Sequence, residues 1–196
     1  MFTANLFGPL INAIDCCPWG SASGRHAKNR QAIQTAKPLY TPEERIRRDN
    51  TVWTLVQGIL APIQFLVFLI SLGMVLNFMI TGSGQSMAEF SVVVKTLVLY
   101  TIMVTGAIWE RDVFGCYLFS PAFYWEDMVS MLVLALHSLY LYALYTHALL
   151  PSQLMVLALA AYATYVVNAT QFIIKLRAAR KQGAYIGAAT DAVGAA

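Results

Sequence analysis

The sequence predicts an all-α fold: an integral membrane four-helix bundle with a short cytoplasmic interfacial helix before the first span. Three observations carry that prediction. Of 196 residues, 58% are hydrophobic and 12% are charged, the latter about half the soluble average, and mean hydropathy is +0.59. The apolar residues fall in four long blocks, separated by short polar or Gly/Pro-containing stretches. Basic residues gather before the first block and after the last. A soluble domain of this length has no core large enough to hide so much apolar sequence, so the bilayer is its solvent.

The first 40 residues read as an N-terminal extension, linker or surface segment. Met1–Ile14 is mildly apolar, but it lacks a basic leader and is broken by Gly8 and Pro9. It does not read as a signal peptide. Residues 15–40 carry Pro, Gly, Ser and scattered base, the composition of a linker. Thr41-Pro42-Glu43-Glu44 is a helix start: Thr41 caps, Pro42 takes the first helical position and Glu44 completes a capping box. The membrane domain then covers 41–180, with spans at about 52–80, 90–109, 125–149 and 152–174. The first span exceeds the roughly 20 residues a bilayer needs, so it is tilted or extends into water, and Pro62 is a candidate kink. Gly82-Ser83-Gly84 breaks the chain. Glu110-Arg111-Asp112 and a loop through Pro121 follow the second span, and Pro151 marks the last turn. Lys175, Arg177, Arg180 and Lys181 stop the fourth span, and the Ala/Gly-rich residues 181–196 read as a flexible tail. No internal repeat is visible.

Orientation follows from the placement of base. Arg25, Lys28, Arg30, Lys37, Arg45, Arg47 and Arg48 precede the first span; the loops at 81–89 and 146–152 hold no Lys or Arg. The positive-inside rule places both termini and the middle loop, with Arg111, in the cytoplasm. Trp53, Trp109 and Trp125 fall at the cytoplasmic boundaries, where an aromatic belt forms.

Several function classes lose support. Cys16, Cys17 and Cys116 make neither a disulfide framework nor zinc-ligand spacing. GxGxxG, P-loop, HExxH and GxSxG are absent. Nor is there a basic patch interleaved with exposed aromatics for nucleic acid.

Ionisable groups inside spans are costly and draw attention first. Lys95 lies about six residues into the second span, roughly 8–9 Å deep, from where it can snorkel to the periplasmic surface. His137 is mid-span, too deep for that. It is either hydrogen-bonded to a neighbouring helix, or a ligand or proton carrier. His147, at a span end, reads as interfacial. Glu126 and Asp127 open the third span, where the helix dipole favours acids; Glu110 closes the second. Glu126 and His137 are eleven residues apart and share a face with Ser130 and Val133. Gln57 and Gln64 on the first span, and Asn168 and Gln171 on the fourth, lie in the same half of the bundle. Interhelical hydrogen bonding explains them as well as a site does, but together they suggest a cytoplasm-facing slot.

Four stretches carry a family resemblance. They are Tyr40–Asp49 with Thr51–Phe65; Val94–Tyr100 with Thr105–Glu110; Phe119–Asp127 on to Leu134-Ala135-Leu136-His137; and Tyr162–Ala169. In this order, over about residues 40–180, they resemble the 3-vinyl bacteriochlorophyllide hydratases of phototrophic bacteria. The resemblance implies a hydro-lyase of bacteriochlorophyll synthesis in the bacterial inner (intracytoplasmic) membrane. Such an enzyme adds water across the 3-vinyl group of chlorophyllide a or 3-vinyl bacteriochlorophyllide a, giving a 1-hydroxyethyl group. It implies no cofactor, since magnesium belongs to the substrate, and as partners a chlorophyllide-type substrate, membrane lipid and neighbouring pathway enzymes.

Vinyl hydration needs a proton donor, a placed water and stabilisation of a cation next to the ring. Glu126 or Glu110 is the expected acid, with Asp127 positioning water. His137 is a candidate magnesium ligand or proton relay. Arg111, ahead of Lys95, is the candidate partner of the substrate's propionate, and Gln57, Gln64, Asn168 and Trp125 line the expected slot. Two rivals use the same features. A non-enzymatic tetrapyrrole-binding or photosystem assembly protein needs His137 and aromatics but no acid pair. A small transporter or quinone-site subunit would use Lys95 and His137 as a proton path.

Overall fold

The structure is a computed structural model that describes residues 39–194, with side chains described for 39–180. Expectations for residues 1–38, including Cys16, Cys17 and the N-terminal base, lie outside the described residues. Every described element is helical: α1 Pro42–Asn50, α2 Val52–Thr81, α3 Gln85–Phe114, α4 Tyr124–Thr146 and α5 Pro151–Gly194. Four of these, α2 to α5, are long and apolar enough to cross a membrane, so the chain is a multi-pass membrane protein. Their outward faces expose large apolar side chains, Leu66, Ile70, Phe90 and Leu132 among them, as a lipid-facing surface does.

Helix α1 starts as its sequence dictates. The Glu44 amide donates to Thr41 Oγ1 at 3.2 Å, and the Thr41 amide donates to the Glu44 carboxylate at 2.8 Å. α1 has no buried residue, as an interfacial helix should. Helix α2 runs unbroken through Pro62, whose missing N–H leaves the Gly58 carbonyl without its intrahelical donor.

The helix ends differ from the hydropathy boundaries. Helix α3 is five residues longer at each end than the predicted 90–109, so Glu110, Arg111 and Asp112 are helical and not loop. The helix stops where the backbone turns left-handed, at Gly84 (φ 84°) and Gly115 (φ 83°), not where the apolar run stops. α4 ends at Thr146, not Leu149, because His147 adopts φ 51° and caps it. The tail expected after Arg180 is helical to Gly194, a continuation favoured by its many alanines.

Backbones come closest between α2 and α3. α5 packs Tyr162 and Tyr165 on Phe68 of α2 and Phe172 on Phe123, with Ala158 and Ala161 also buried. A second cluster closes the end of the bundle next to α1. Tyr40, Trp109, Phe114 and Phe123 pack ring to ring with centroids 5.7–6.4 Å apart. Trp109 is therefore built into the bundle, donating to Thr54 Oγ1 at 2.9 Å. Trp125 is 72% exposed and fits the interfacial belt. Burial raises the Tyr40 phenol above its usual range, with Arg48 opposing, which keeps it neutral.

Candidate active site

The buried polar residues of the bundle fall in three layers. The first, at the end expected to face the cytoplasm, is built by α3, α4 and the loop between them. Glu110 and Asp127 are buried. The loop aims two consecutive amides at them: Phe119 N–H donates to Asp127 Oδ2 at 2.8 Å and Ser120 N–H to Glu110 Oε1 at 3.0 Å. The same arrangement brings the Asp127 carboxyl within hydrogen-bonding reach of Glu110, with Glu126 nearby. The loop holds this shape through a turn closed by Phe123 N–H on the Ser120 carbonyl, 2.9 Å, with Pro121 at its favoured second position. Phe119 sits at φ 60°, a conformation uncommon for a non-glycine residue and frequent where a site over-determines the backbone.

Glu126 faces differently. It takes a 2.5 Å ion pair from Lys175 of α5, and Lys175 lies over the Phe123 ring at 4.9 Å. The Glu126 charge joins α5 to α4, and among the described residues the buried carboxyls without an ion pair are Glu110 and Asp127. Ser120 Oγ, fully buried beside them, has no hydrogen-bond partner among the described residues. In the adjoining loop, the Cys116 thiol is pushed above its ordinary range by burial and then by the charges of Glu110 and Asp127.

Arg111 is exposed, stacked at 4.6 Å on Tyr117 and hydrogen-bonded to its hydroxyl.

The second layer is amide-rich. Asn168 Nδ2 donates to Ser130 Oγ at 2.9 Å. Gln64 is 2% exposed, and neither of its amide atoms has a partner; Asn168 Oδ1 and Gln171 Oε1 also lack one. Gln64 and Asn168 each lie one turn toward the carboxyl end from the Phe68–Tyr165 contact, which sets them at the same depth. Gln57 is spent on interhelical bonds, to Thr105 Oγ1 at 2.8 Å and the Ile102 carbonyl at 3.4 Å.

The third layer joins all four spans. Lys95 Nζ meets His137 Nε2 at 2.6 Å, both side chains fully buried. The expectation that Lys95 snorkels is overturned. His137 Nδ1 bonds the Val133 carbonyl at 2.8 Å; a carbonyl only accepts, so Nδ1 carries the proton and Nε2 is the acceptor for Lys95. Both ring nitrogens of His137 are therefore engaged. Tyr165 and Tyr162 present their rings to Lys95 at 4.2 and 5.3 Å. Tyr162 Oη also bonds Ser71 at 2.6 Å, and Ser71 bonds Ser91 at 2.7 Å. His147 is an exposed cap.

Along α4, Glu126, Asp127, Ser130, Val133 and His137 are all buried, the stripe that helical spacing predicts. Sequence reasoning missed Lys175, Ser120, Tyr162 and Tyr165. Lys175 looks like a stop signal and the tyrosines look like span residues. Only the Ser120-Pro121 turn carried a local signal. The open groove of about 490 Å³ near Gly73, Asn77 and Met87 lies at the opposite end of the bundle, with no ionisable lining residue, and it is not the site.

The family description "2-vinyl bacteriochlorophyllide hydratase" matches residues 40–178. A protein of that name from Rhodobacter capsulatus is 61% identical over 155 residues, 79% of this chain and 90% of the relative. Another, from Cereibacter sphaeroides, is 63% identical over 145 residues, 72% of this chain and 88% of the relative. No solved structure matches. The stretches that resembled the family at first reading, the four-span bundle and the extent of the match all agree: the chain belongs to the 2-vinyl bacteriochlorophyllide hydratase family and is a multi-pass membrane hydro-lyase.

Proposed function

We propose that this protein hydrates the 3-vinyl group of chlorophyllide a or of 3-vinyl bacteriochlorophyllide a in the bacterial inner membrane, with both termini cytoplasmic. Support for the orientation is the base before α2 and along α5 from Lys175 onward. The observation that carries the mechanism is the buried Glu110–Asp127 pair, gripped by consecutive loop amides.

Two carboxylates at close quarters repel, and a proton held between them removes that repulsion. The pair therefore stores the proton that the reaction consumes. It protonates the terminal vinyl carbon, the π electrons forming the new C–H bond. Positive charge develops on the carbon beside the ring, where the macrocycle spreads it and the carboxylate left behind opposes it. Water attacks that carbon, and its proton returns to the pair, giving the 1-hydroxyethyl group with no net consumption of base. Ser120 Oγ, buried and unpartnered, is suited to hold the attacking water. The buried, unpartnered amide atoms of Gln64 on α2 and Asn168 on α5 suit the polar edges of a flat macrocycle bound between these helices. No cofactor enters this scheme; the magnesium is the substrate's.

The test is direct. The purified protein is given chlorophyllide a, and separately the bacteriochlorin substrate, and pigment mass and the red-most absorption band are followed. A blue shift with the mass of one added water supports the reading. Pigment retained without conversion of either substrate would favour the tetrapyrrole-binding rival.

A further inference from the structure

The Lys95–His137 pair takes no part in the acid–base scheme. Lys95 is fully buried in the middle of the bundle. His137, fixed as an acceptor through Val133, takes one of its three N–H groups. The others face the π surfaces of Tyr162 and Tyr165. Among the described residues, no carboxylate lies within ion-pair distance of Lys95. An ammonium in low dielectric, held only by a neutral imidazole and ring faces, has its desolvation uncompensated until an anion joins it.

The surroundings say where the anion comes from. Tyr162 and Tyr165 belong to α5. Between Lys95 and the carboxyl pair lie the unpartnered amide atoms of Gln64 and Asn168. Asp127 and His137 are ten residues apart on α4, about 15 Å along the axis. A flat macrocycle with an extended acid side chain can cover that separation.

We propose that Lys95, oriented by His137, anchors the free propionate carboxylate of the pigment, and so selects the free acid over its esters. The inference rests on the vinyl-hydratase reading for the identity of the pigment. The carboxylate accepts the two N–H groups that the imidazole leaves, and the cation already desolvated in the bundle becomes a neutral pair on binding. With the propionate there, the reacting vinyl is directed toward Glu110 and Asp127. Arg111, turned outward onto Tyr117, is not needed for this contact.

The experiment measures binding of the Mg-chlorin free acid and of its propionate methyl ester by absorption titration, in wild type, Lys95→Met and Lys95→Arg. The same titrations in Glu110→Gln separate binding from turnover: if vinyl hydration is the wrong reading, the preference for free acid can still be measured. The wild type and Glu110→Gln are expected to prefer the free acid by about tenfold or more. Lys95→Met is expected to bind the two pigments within about twofold of each other, and Lys95→Arg to keep part of the preference. A wild type that does not discriminate overturns the proposal whatever the variants do, and so does a preference that survives in Lys95→Met. Oleate supplies the same chemistry from lipid. If it raises the unfolding midpoint of the pigment-free wild type but not of Lys95→Met, while the pigments are not discriminated, the site belongs to a lipid carboxylate and the proposal falls.

Discussion

Replacing Glu110 by glutamine separates what that side chain does for the fold from what it does for the reaction. The Gln carbonyl keeps the acceptor for Ser120 N–H, now at 3.0 Å, and its NH₂ offers Asp127 a neutral donor where a second carboxyl stood. The substitution is nearly isosteric and keeps the Ser120 amide paired. Stability is therefore expected to stay within about 0.5 kcal/mol or to rise slightly. The transferable proton is gone, however. General acid catalysis is worth about 10²–10⁴-fold, or about 3–5 kcal/mol of barrier. Glu110→Gln should lose that much turnover while its unfolding midpoint and pigment affinity stay near wild type. Glu110→Ala should lose the rate and also about 1–3 kcal/mol, because the Ser120 amide is then buried without an acceptor. The assay is product formation by mass, beside thermal unfolding in the same detergent. A Glu110→Gln rate within tenfold of wild type would refute the assignment; so would a rate loss fully explained by unfolding.

The other predictions follow from single contacts. Lys175→Met strands the Glu126 carboxylate in a half-buried setting, so it should cost about 1–3 kcal/mol, between the surface and buried limits. The Lys175→Met/Glu126→Gln double variant should recover part of that in thermal unfolding. Tyr162→Phe removes the 2.6 Å bond to Ser71, which keeps Ser91; about 1 kcal/mol should be lost, and a double-mutant cycle with Ser71→Ala should show coupling. In a Cys16→Ser/Cys17→Ser background, Cys116 should alkylate slowly at neutral pH, because its pKa is raised and the thiolate is the reactive form. Asp127→Asn should speed that alkylation, since the Asp127 charge is one cause of the shift, and an unchanged rate would contradict the placement of the carboxyls around the loop.

Much of the fold was legible because a bilayer imposes simple rules. Four apolar blocks longer than a membrane's need were visible in composition alone, and Thr41, Pro42 and Glu44 wrote the start of α1 explicitly. The helix ends were not legible from hydropathy. Glu110, Arg111 and Asp112 look like loop, yet a helix continues through charged residues until a left-handed position such as Gly115 stops it. At the site, the α4 stripe from Glu126 to His137 followed from helical spacing, and so did the suspicion falling on Lys95 and Glu110. Which acid pairs with which group was not readable, because it depends on the depth at which α5 passes α4. That register sends Lys175 to Glu126 and leaves Glu110 with Asp127. The meeting of Lys95 with His137 likewise needs two helices in one register. Sequence supplies each depth separately, so a snorkelling lysine looked equally reasonable.

The most direct test of the central claim runs the reaction in water enriched in heavy oxygen, and again in heavy water, and locates each label in the product. Protonation by a carboxyl pair followed by attack of water predicts heavy oxygen on the carbon beside the ring and one deuterium on the terminal methyl carbon. It also predicts that both labels are lost together in Glu110→Gln. Product oxygen that does not come from water, or labels that arrive undiminished in that variant, would contradict it.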